Sequence, residues 1–287
     1  MRLYTIKLRE TEYVAVQRED RLYRLCDMGL GFKDMNELIC AGEKALKKVR
    51  EFDGYENILS IALQKTHICS PIENPLQDIL CIGVNYDDHI KETADLESFQ
   101  NNKATVYFSK RANFISGAAD NIPDYDYVKK LDYEVELAVI INRDLRNYRR
   151  GRDADPVFGY SVFNDVSARD LQFRHGQWFM GKSLDGYSIM GPCIVTPDEV
   201  GDVQSLDVEC RVNGEVRQHS NTSVMITPVY DAIEELSSLM TLRAGTVIAT
   251  GTPGGVAMGM KEPVYLKKGD VVECEIEKLG KIVNTVG

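Results

Sequence analysis

The chain has 287 residues, of which 44% are hydrophobic and 27% are charged. This composition is typical of a globular protein and excludes disordered, collagen-like and low-complexity classes, while the length allows one large domain or two modest ones. The 34 Lys and Arg residues against 44 Asp and Glu residues give a formal net charge of −10. Because a negative surface repels phosphate backbones, we expect no nucleic-acid partner.

A membrane segment and a disulfide framework are not expected either. The aliphatic run 137–141 is far shorter than the ~20 residues that a spanning helix needs, and residues 1–7 have no apolar signal core. The seven cysteines form no CxxC pair, and no histidine is placed to complete a zinc site with them. We therefore expect reduced thiols, a cytoplasmic protein and no membrane partner.

The N-terminal quarter of the chain predicts a small α+β lobe. Alternation of polar and apolar residues indicates strands at 2–7, 13–16 and 21–25. Helical spacing of apolar residues predicts a helix over 34–49, with Asp34 as its N-cap, and a second short helix over 56–63. The segment 70–75, SPIENP, interrupts regular structure. It places the domain boundary, so that residues 1–70 form the lobe and 71–287 the larger body.

The body is predicted to be rich in strands. They are expected at 79–84, 105–108, 133–141, 157–163, 206–212, 246–250 and 271–277. One clear helix is predicted over 227–240, with Thr227 as N-cap and Pro228 in the first turn. The polar segment 86–104 lacks a steady apolar period, and we expect it to be mobile. Helices are too few for βαβ alternation, so the body is β-rich rather than doubly wound.

Two glutamates at one end of a buried strand are the first chemical signal. After Glu136 the segment DYEVELAVII is apolar at every position, which indicates a strand that is buried on both faces. Glu134 and Glu136 are two residues apart, so both carboxylates point to the same side. Like charges that lose hydration together need a cation, unless the strand emerges into solvent at this point.

A third carboxylate follows the next predicted strand. Asp165 is spaced i, i+4 and i+7 with Arg169 and Gln172, so the three share one face if a helix begins there. Asp165 is then either an N-cap with an arginine partner or a carboxylate that joins Glu134 and Glu136. Three carboxylates without histidine or cysteine favour a hard divalent ion, Mg²⁺ first, then Mn²⁺ or Ca²⁺.

One of the four histidines has a carboxylate within reach. His89 follows a predicted buried strand, and Glu92 lies three residues further on, which is one helical turn. A carboxylate that orients an imidazole and raises its basicity makes a general base. By spacing alone, a surface histidine beside an acidic residue is the alternative. We interpret His67, His175 and His219 as structural.

Two segments that contain glycine suggest ligand binding. Residues 176–183 match GxxxxGK[ST], but their variable positions are bulky and 184–192 contain two glycines and a proline, so a phosphate-binding loop is rejected. Lys182 is kept as a positioned cation for a different anion. Residues 248–256 run from a strand into a glycine-rich turn. It is either an ordinary tight turn or a backbone that approaches a ligand, with Thr252 offering a hydroxyl.

Seven segments taken together, in this order, are similar to the fumarylacetoacetate hydrolase superfamily. They are GVNYDDHIKE (83–92), DYEVELAVII (132–141), NDVSARDLQ (164–172), GKSLDG with GP (181–192), NTS (221–223), ATGTPGGV (249–256) and LKKGDVVECEIEKLG (266–280). The resemblance covers about 79–287 and is nearest to the branch of bacterial acylpyruvases and 2-hydroxyhepta-2,4-diene-1,7-dioate isomerases. The residues before it resemble the variable N-terminal lobe of longer bacterial members.

The resemblance implies a fold and a site. The fold is α+β, with a mixed β-sandwich or β-roll body, and members are commonly homodimers. The implied ligands of Mg²⁺ or Mn²⁺, with Ca²⁺ as a substitute in crystals, are Glu134, Glu136 and Asp165. The implied catalytic residues are His89, Glu92 and Lys182. The implied substrate-binding residues are Arg169, Gln172 and Thr252.

The activity implied by the resemblance is metal-dependent C–C bond hydrolysis of acylpyruvates or fumarylpyruvate through an enolate of a small 2-oxo acid. Decarboxylation or tautomerisation of oxaloacetate and isomerisation of 2-hydroxyhepta-2,4-diene-1,7-dioate share that intermediate and stay open. Departures from the family pattern at Arg111, Ile189 and Thr246 leave the substrate undetermined. A metal-binding scaffold without activity and a nucleotide-binding protein are the alternatives from other classes.

Overall fold

The structure is a computed structural model that describes residues 1–92 and 104–287. The strands are β1 (Arg2–Leu8), β2 (Thr11–Arg18), β3 (Arg21–Arg24), β4 (Ser60–Ala62), β5 (His67–Ile68), β6 (Ile79–Gly83), β7 (Val106–Lys110), β8 (Leu131–Asp132), β9 (Val135–Ile141), β10 (Val157–Asp165), β11 (Ser167–Ala168), β12 (Ser188–Val195), β13 (Asp207–Val212), β14 (Glu215–Asn221), β15 (Val247–Ala249), β16 (Val271–Ile276) and β17 (Gly280–Thr285). The α-helices are α1 (Met35–Arg50), α2 (Asp87–Glu92), α3 (Arg169–Gln172), α4 (Phe179–Lys182), α5 (Pro197–Val200) and α6 (Val229–Leu239).

Most of these strands belong to one sheet. Among the described residues it has 11 strands, in the order β4-β3-β2-β1-β12-β10-β9-β15-β6-β7, with β5 beside β1. A second sheet has the order β14-β13-β16-β17, and β8 pairs with β11. This strand-rich α+β architecture confirms the fold class expected from the sequence. No helix of the described residues is long and apolar enough to cross a membrane.

The N-terminal strands extend the sheet of the body. β1 pairs antiparallel with β12, where Leu3 lies opposite Ile194, and β2, β3 and β4 continue outward from β1. The helix α1 packs on one face of this sheet, where its side chains share a core cluster with residues of β1, β9 and β12. The division into a lobe 1–70 and a body 71–287 stays a prediction about independent folding units.

The centre of the sheet is buried on both faces. Every residue of β9 and β10 is buried. Leu137 and Val139 belong to one core cluster, whereas Ala138 and Ile140 belong to a second. Successive side chains of a strand point to opposite faces, so β9 separates the two clusters. The continuous apolar run predicted this burial, and it places the acidic end of β9 inside the protein.

Local predictions hold for α1 and fail for the segment that follows it. Asp34 caps α1, because its carboxylate accepts a hydrogen bond of 2.9 Å from the Glu37 amide. The short helix expected over 56–63 is wrong: residues 60–62 form β4, flanked by short 3₁₀ turns. Pairing of β4 with β3 satisfies the backbone there, and this tertiary contact overrides a weak local helix pattern. In α6 the cap position is Pro228, one residue beyond the expected Thr227.

Candidate active site

Three buried carboxylates meet at one end of the central strands. Glu134 lies between β8 and β9, Glu136 is the second residue of β9, and Asp165 ends β10. β9 and β10 are antiparallel neighbours in which Glu136 lies opposite Phe163, so the start of one strand lies beside the end of the other. Ligand oxygens of the three side chains lie within 4.8 Å of one another. The carboxylates expected to converge are therefore brought together by strand pairing.

Strand pairing also corrects one expectation about Asp165. It does not share a helical face with Arg169 and Gln172, because α3 begins only at Arg169. The Asp165 amide instead donates a 2.9 Å hydrogen bond to the carbonyl oxygen of Glu134. The next residues form β11 against β8, which carries the chain on as extended backbone. The helical spacing failed because these cross-strand bonds use the backbone groups that a helix would need.

Buried cations compensate the carboxylates. The Lys182 ammonium lies 2.6 Å from Glu134 Oε2 and 2.8 Å from Asp165 Oδ2. Lys110 Nζ pairs with the other oxygen of Asp165, and Arg169 Nη2 lies 2.6 Å from Glu134 Oε1. Burial disfavours the Glu134 carboxylate, but Lys182 and Arg169 outweigh it and lower the pKa of Glu134 to about 2. Glu134 is thus held ionised inside the protein.

Glu136 is compensated less well than its neighbours. Within the part of the chain that the structure describes, its carboxylate has no ion pair, and its Oε2 accepts a 2.8 Å hydrogen bond from the Gly251 amide. Burial, Asp165 and Glu134 raise the pKa of Glu136 well above its ordinary value. An additional positive charge would relieve this repulsion.

The donor set fits a divalent ion. Two oxygens bound on opposite sides of one ion are about 4 Å apart for Mg²⁺ and about 5 Å apart for Ca²⁺. The ligand oxygens of this cluster lie within 4.8 Å of one another, which is close enough for one such ion to contact all three side chains. Oxygen ligands alone favour Mg²⁺, Mn²⁺ or Ca²⁺ over softer metals. The buried acidic cluster can therefore hold such an ion, while the role of each side chain as a ligand stays a prediction.

The expected histidine–glutamate dyad is formed on α2. His89 Nδ1 lies 2.7 Å from Glu92 Oε1, and the imidazole is buried. The second carboxylate oxygen, Oε2, accepts a 2.7 Å hydrogen bond from the Gly255 amide. A carboxylate at Nδ1 favours the tautomer that carries the proton on that nitrogen. The segment predicted to be mobile, 86–104, falls mostly on residues 93–103, which lie outside the described residues.

Most of the predicted site residues line one cavity. Those that line it are His89, Glu134, Glu136, Arg169, Gln172, Lys182 and Thr252. The remaining wall is mainly apolar and includes Ile82, Phe108 and Trp178. Glu92 and Asp165 contact residues of the cavity without lining it themselves. The dyad and the acidic cluster thus face the same small space.

All three predicted substrate-binding groups are already bound within the protein, Arg169 through Asp132 and Glu134. Thr252 Oγ1 donates to the Val135 carbonyl at 2.8 Å and accepts from Gln218 Nε2 at 2.7 Å. Gln172 Oε1 accepts from Arg169 Nη1 at 3.0 Å. The Thr252 hydroxyl proton is used by the backbone, so its first role is to join the glycine-rich turn to β9.

Sequence reasoning missed three buried residues that support the site. Asp132 binds Arg169 Nε at 2.8 Å, Lys110 pairs with Asp165, and Gln218 accepts from the Val135 amide. Asp132 stands two residues before the first glutamate of the same motif, and this spacing could have indicated it. Lys110 ends an apolar strand, which is a weaker signal. Gln218 lies on a polar strand, where no pattern distinguishes it.

Comparison with known proteins defines the class. Residues 78–287 match a protein-family model. That family is described as "Fumarylacetoacetate (FAA) hydrolase C-terminal". The chain belongs to the fumarylacetoacetate hydrolase family. The family expected from the seven segments is thereby confirmed, and the match contains the acidic cluster and the dyad.

Among curated proteins, the chain is 40% identical over 255 residues to the mitochondrial oxaloacetate tautomerase Fahd2a of Rattus norvegicus, covering 88% of this chain and 80% of that protein. It is also 40% identical over 227 residues to the oxaloacetate tautomerase YisK of Bacillus subtilis, covering 79% and 75%. Relatives with this name thus occur in both an animal organelle and a bacterium.

Two solved structures are similar to this one over the whole length of the chain. A fumarylacetoacetate hydrolase from Exiguobacterium antarcticum superposes with a TM-score of 0.86 at 37% identity, covering 100% of this chain and 99% of that one. A maleylpyruvate hydrolase from Sphingobium sp. SYK-6, in complex with manganese(II) and pyruvate, gives 0.79 at 26% identity, covering 100% and 98%. Both of these structures are named as hydrolases, and both share the fold of this chain over its whole length.

Proposed function

We propose that this protein is a tautomerase that interconverts the enol and keto forms of oxaloacetate. The observation that carries the proposal is the His89–Glu92 dyad, which faces the same cavity as the buried acidic cluster. Relatives of 40% identity named oxaloacetate tautomerases support the choice of substrate.

Tautomerisation requires one proton to move between the C2 oxygen and C3 of the substrate. Glu92 holds Nδ1 of His89, so Nε2 is the nitrogen that exchanges the proton at C3. The carboxylate of Glu92 stabilises the imidazolium that forms when Nε2 takes that proton. From the enol, Nε2 of His89 therefore takes the proton of the C2 hydroxyl group and returns it to C3. From the keto form it takes a proton from C3 and returns it to the C2 oxygen, so that His89 ends each cycle in its starting tautomer.

Positive side chains at the cavity stabilise the negative oxygens of the substrate. The Lys182 ammonium and the Arg169 guanidinium both line the cavity and are buried, where their charges act through a low dielectric. Glu134, Glu136 and Asp165 would hold Mg²⁺ or Mn²⁺. When bound, the ion supplies Lewis-acid polarisation of the 2-oxo group.

Hydrolysis of a C–C bond in an acylpyruvate is the second candidate. It is favoured by the likeness to the maleylpyruvate hydrolase across the whole chain. In that reaction His89 would deprotonate a water for attack on the distal carbonyl. Lys182 would stabilise the oxyanion that develops there. Collapse of that oxyanion would break the C–C bond and release pyruvate as its enolate, which then takes a proton at C3.

The test uses fresh enol oxaloacetate mixed with the protein and Mg²⁺ or Mn²⁺. Enol absorbance and the keto signals in proton NMR are followed, with a parallel assay on acetylpyruvate. Faster conversion to keto oxaloacetate without a new product supports the tautomerase. Two carboxylic acids from acetylpyruvate would support the hydrolase instead, and pyruvate with CO₂ from oxaloacetate would indicate a decarboxylase. Rates equal to those of buffer with metal would overturn the proposal.

A further inference from the structure

The glycine-rich turn after β15 packs against protein atoms. A β-carbon built on Gly255 would lie 1.9 Å from the Arg217 carbonyl oxygen. One on Gly254 would lie 3.2 Å from Asp88 Cγ, and one on Gly259 would lie 2.5 Å from Glu92 Cδ. Two of these three contacts are with α2, the helix that bears the dyad. The space at Gly254 and Gly259 is therefore filled by α2, and that at Gly255 by β14, rather than by a ligand.

We propose that Gly255 and Gly259 are positioning residues for the catalytic dyad. The Gly255 amide holds Glu92 Oε2 at 2.7 Å, and the missing side chain of Gly259 leaves the volume that the Glu92 carboxyl group occupies. The inference deepens the proposed function, because it concerns how Glu92 comes to lie against His89. Neither glycine touches the substrate.

Space, and not backbone conformation, requires glycine at Gly259. It closes the short 3₁₀ helix Ala257–Gly259 and lies outside the left-handed region, so alanine can adopt its backbone. An added methyl carbon would lie 2.5 Å from Cδ and 2.7 Å from Oε2 of Glu92. Displacing that carboxyl group is the least costly relief, because the contacts are with the end of a side chain.

The displacement has a chemical consequence at His89. Both carboxylate oxygens of Glu92 are used, one by the Gly255 amide and one by His89 Nδ1. A shift away from Gly259 breaks at least one of these bonds and weakens the preference for the Nδ1–H tautomer. A ring protonated on Nε2 instead cannot take a proton from the substrate at that atom.

The same geometry determines the outcome expected for Glu92→Gln. A glutamine has a single acceptor oxygen. If that oxygen binds the Gly255 amide, its NH₂ group faces Nδ1 of His89 and selects the wrong tautomer. If it faces His89 instead, two N–H groups oppose each other at Gly255. The structure therefore predicts a defect comparable to that of His89→Ala rather than a milder one.

The test compares Gly259→Ala with Gly31→Ala, a control glycine that has ordinary φ and open space around it. Histidines labelled with ¹⁵N report the tautomer of each of the four rings. We expect the wild type and the control to show Nδ1–H at His89, and Gly259→Ala to show a mixture. We also expect Gly259→Ala to lower kcat by about 10-fold to 100-fold, which is less than the loss caused by removing a general base. KM and Tm should change little.

A double variant separates positioning from a general packing defect. In a Glu92→Ala background no carboxyl group remains to be displaced, so adding Gly259→Ala should cause no further loss of kcat. A further loss, or a wild-type tautomer together with wild-type kcat in Gly259→Ala, would overturn the inference. The tautomer spectra need no substrate, so they decide this inference even if the oxaloacetate assay fails.

Discussion

The acidic cluster and the dyad face one cavity but are supported in different ways. The cluster stands on β9 and β10, which lie in the middle of the large sheet with paired strands on both sides. The dyad stands on α2, a helix of 6 residues. Its carboxylate is held across the chain by one amide of the glycine-rich turn. The proposed ion binding thus rests on the core of the sheet, whereas the proposed proton transfer rests on a short helix and a single long-range hydrogen bond.

The two kinds of support match the chemistry proposed for the acidic cluster and for the dyad. Three carboxylates buried together repel one another and would separate unless the surrounding sheet and its buried cations held them. A general base needs only one correctly placed nitrogen, but its position and tautomer must be accurate. Substitutions in the acidic cluster should abolish ion binding, whereas substitutions in the dyad should leave ion binding intact.

The largest effect is expected from Glu136→Gln, which breaks the strand-borne half. Loss of one ligand should lower divalent-ion affinity and turnover by more than the roughly 10–100-fold that loss of an outer partner costs. The fold should be kept or stabilised, because the substitution removes repulsion with Glu134 and Asp165. Calorimetric titration with Mn²⁺, turnover and thermal unfolding measure the three quantities. Glu275→Gln, at an exposed strand position, is the matched control.

The next effect is expected from His89→Ala, which breaks the helix-borne half alone. Turnover should fall by about 10²–10⁴ because a general base is lost. Mn²⁺ affinity should stay unchanged, since the carboxylates are untouched. His219→Ala removes an exposed histidine that also has a glutamate neighbour, 3.6 Å away at Glu209, and should change neither quantity. Turnover of His89→Ala near that of the wild type would show that another group is the base.

Stability should change most in Lys110→Met, which tests how the cluster is held. Lys110 Nζ donates to Asp165, to the Tyr187 carbonyl at 2.6 Å and to the Val166 carbonyl at 3.2 Å, all buried. Removing one partner of a buried ion pair costs about 3–5 kcal/mol of unfolding free energy. Urea unfolding measures it. Lys281→Met, which removes a surface pair, should cost less than ~1 kcal/mol.

The smallest effect concerns a carboxyl pair outside the site. A hydrogen bond and repulsion from Glu73, together with burial, raise the pKa of Glu12 to about 7. A raised acid pKa contributes stability that is complete below about 4.5 and is lost as pH rises through about 7. Glu12→Gln imitates the protonated form. It should therefore unfold like the wild type at pH 5 and be more stable at pH 8.

The expected gain for Glu12→Gln at pH 8 is about 1 kcal/mol or less, since the side chain is partly exposed and solvent screens the repulsion. Thermal unfolding at the two pH values measures it, with the exposed Glu10→Gln as control. An equal difference from the wild type at both pH values would contradict the assignment. The Glu12–Glu73 pair thus contrasts with the acidic cluster, where buried lysines and an arginine compensate the carboxylates.

Sequence patterns were enough for the local parts of the site. The apolar run after Glu136 predicted a strand buried on both faces, and the spacing of Glu134 with Glu136 placed two carboxylates on one side of it. The spacing of His89 with Glu92 predicted a contact that is formed at 2.7 Å. These predictions depend on residues within one turn or one strand, where backbone geometry alone sets the neighbours.

Only the tertiary structure decided what compensates and holds these groups. The bond from the Gly255 amide to Glu92 joins residues 163 positions apart, and the contact of Lys110 with Asp165 spans 55. No local period encodes such pairs. By itself, the sequence determined the family and indicated which groups are candidates for chemistry, because side-chain type and short-range spacing are written in it. The folded chain alone decided which distant amides and cations stabilise those groups, because only chain packing makes them neighbours.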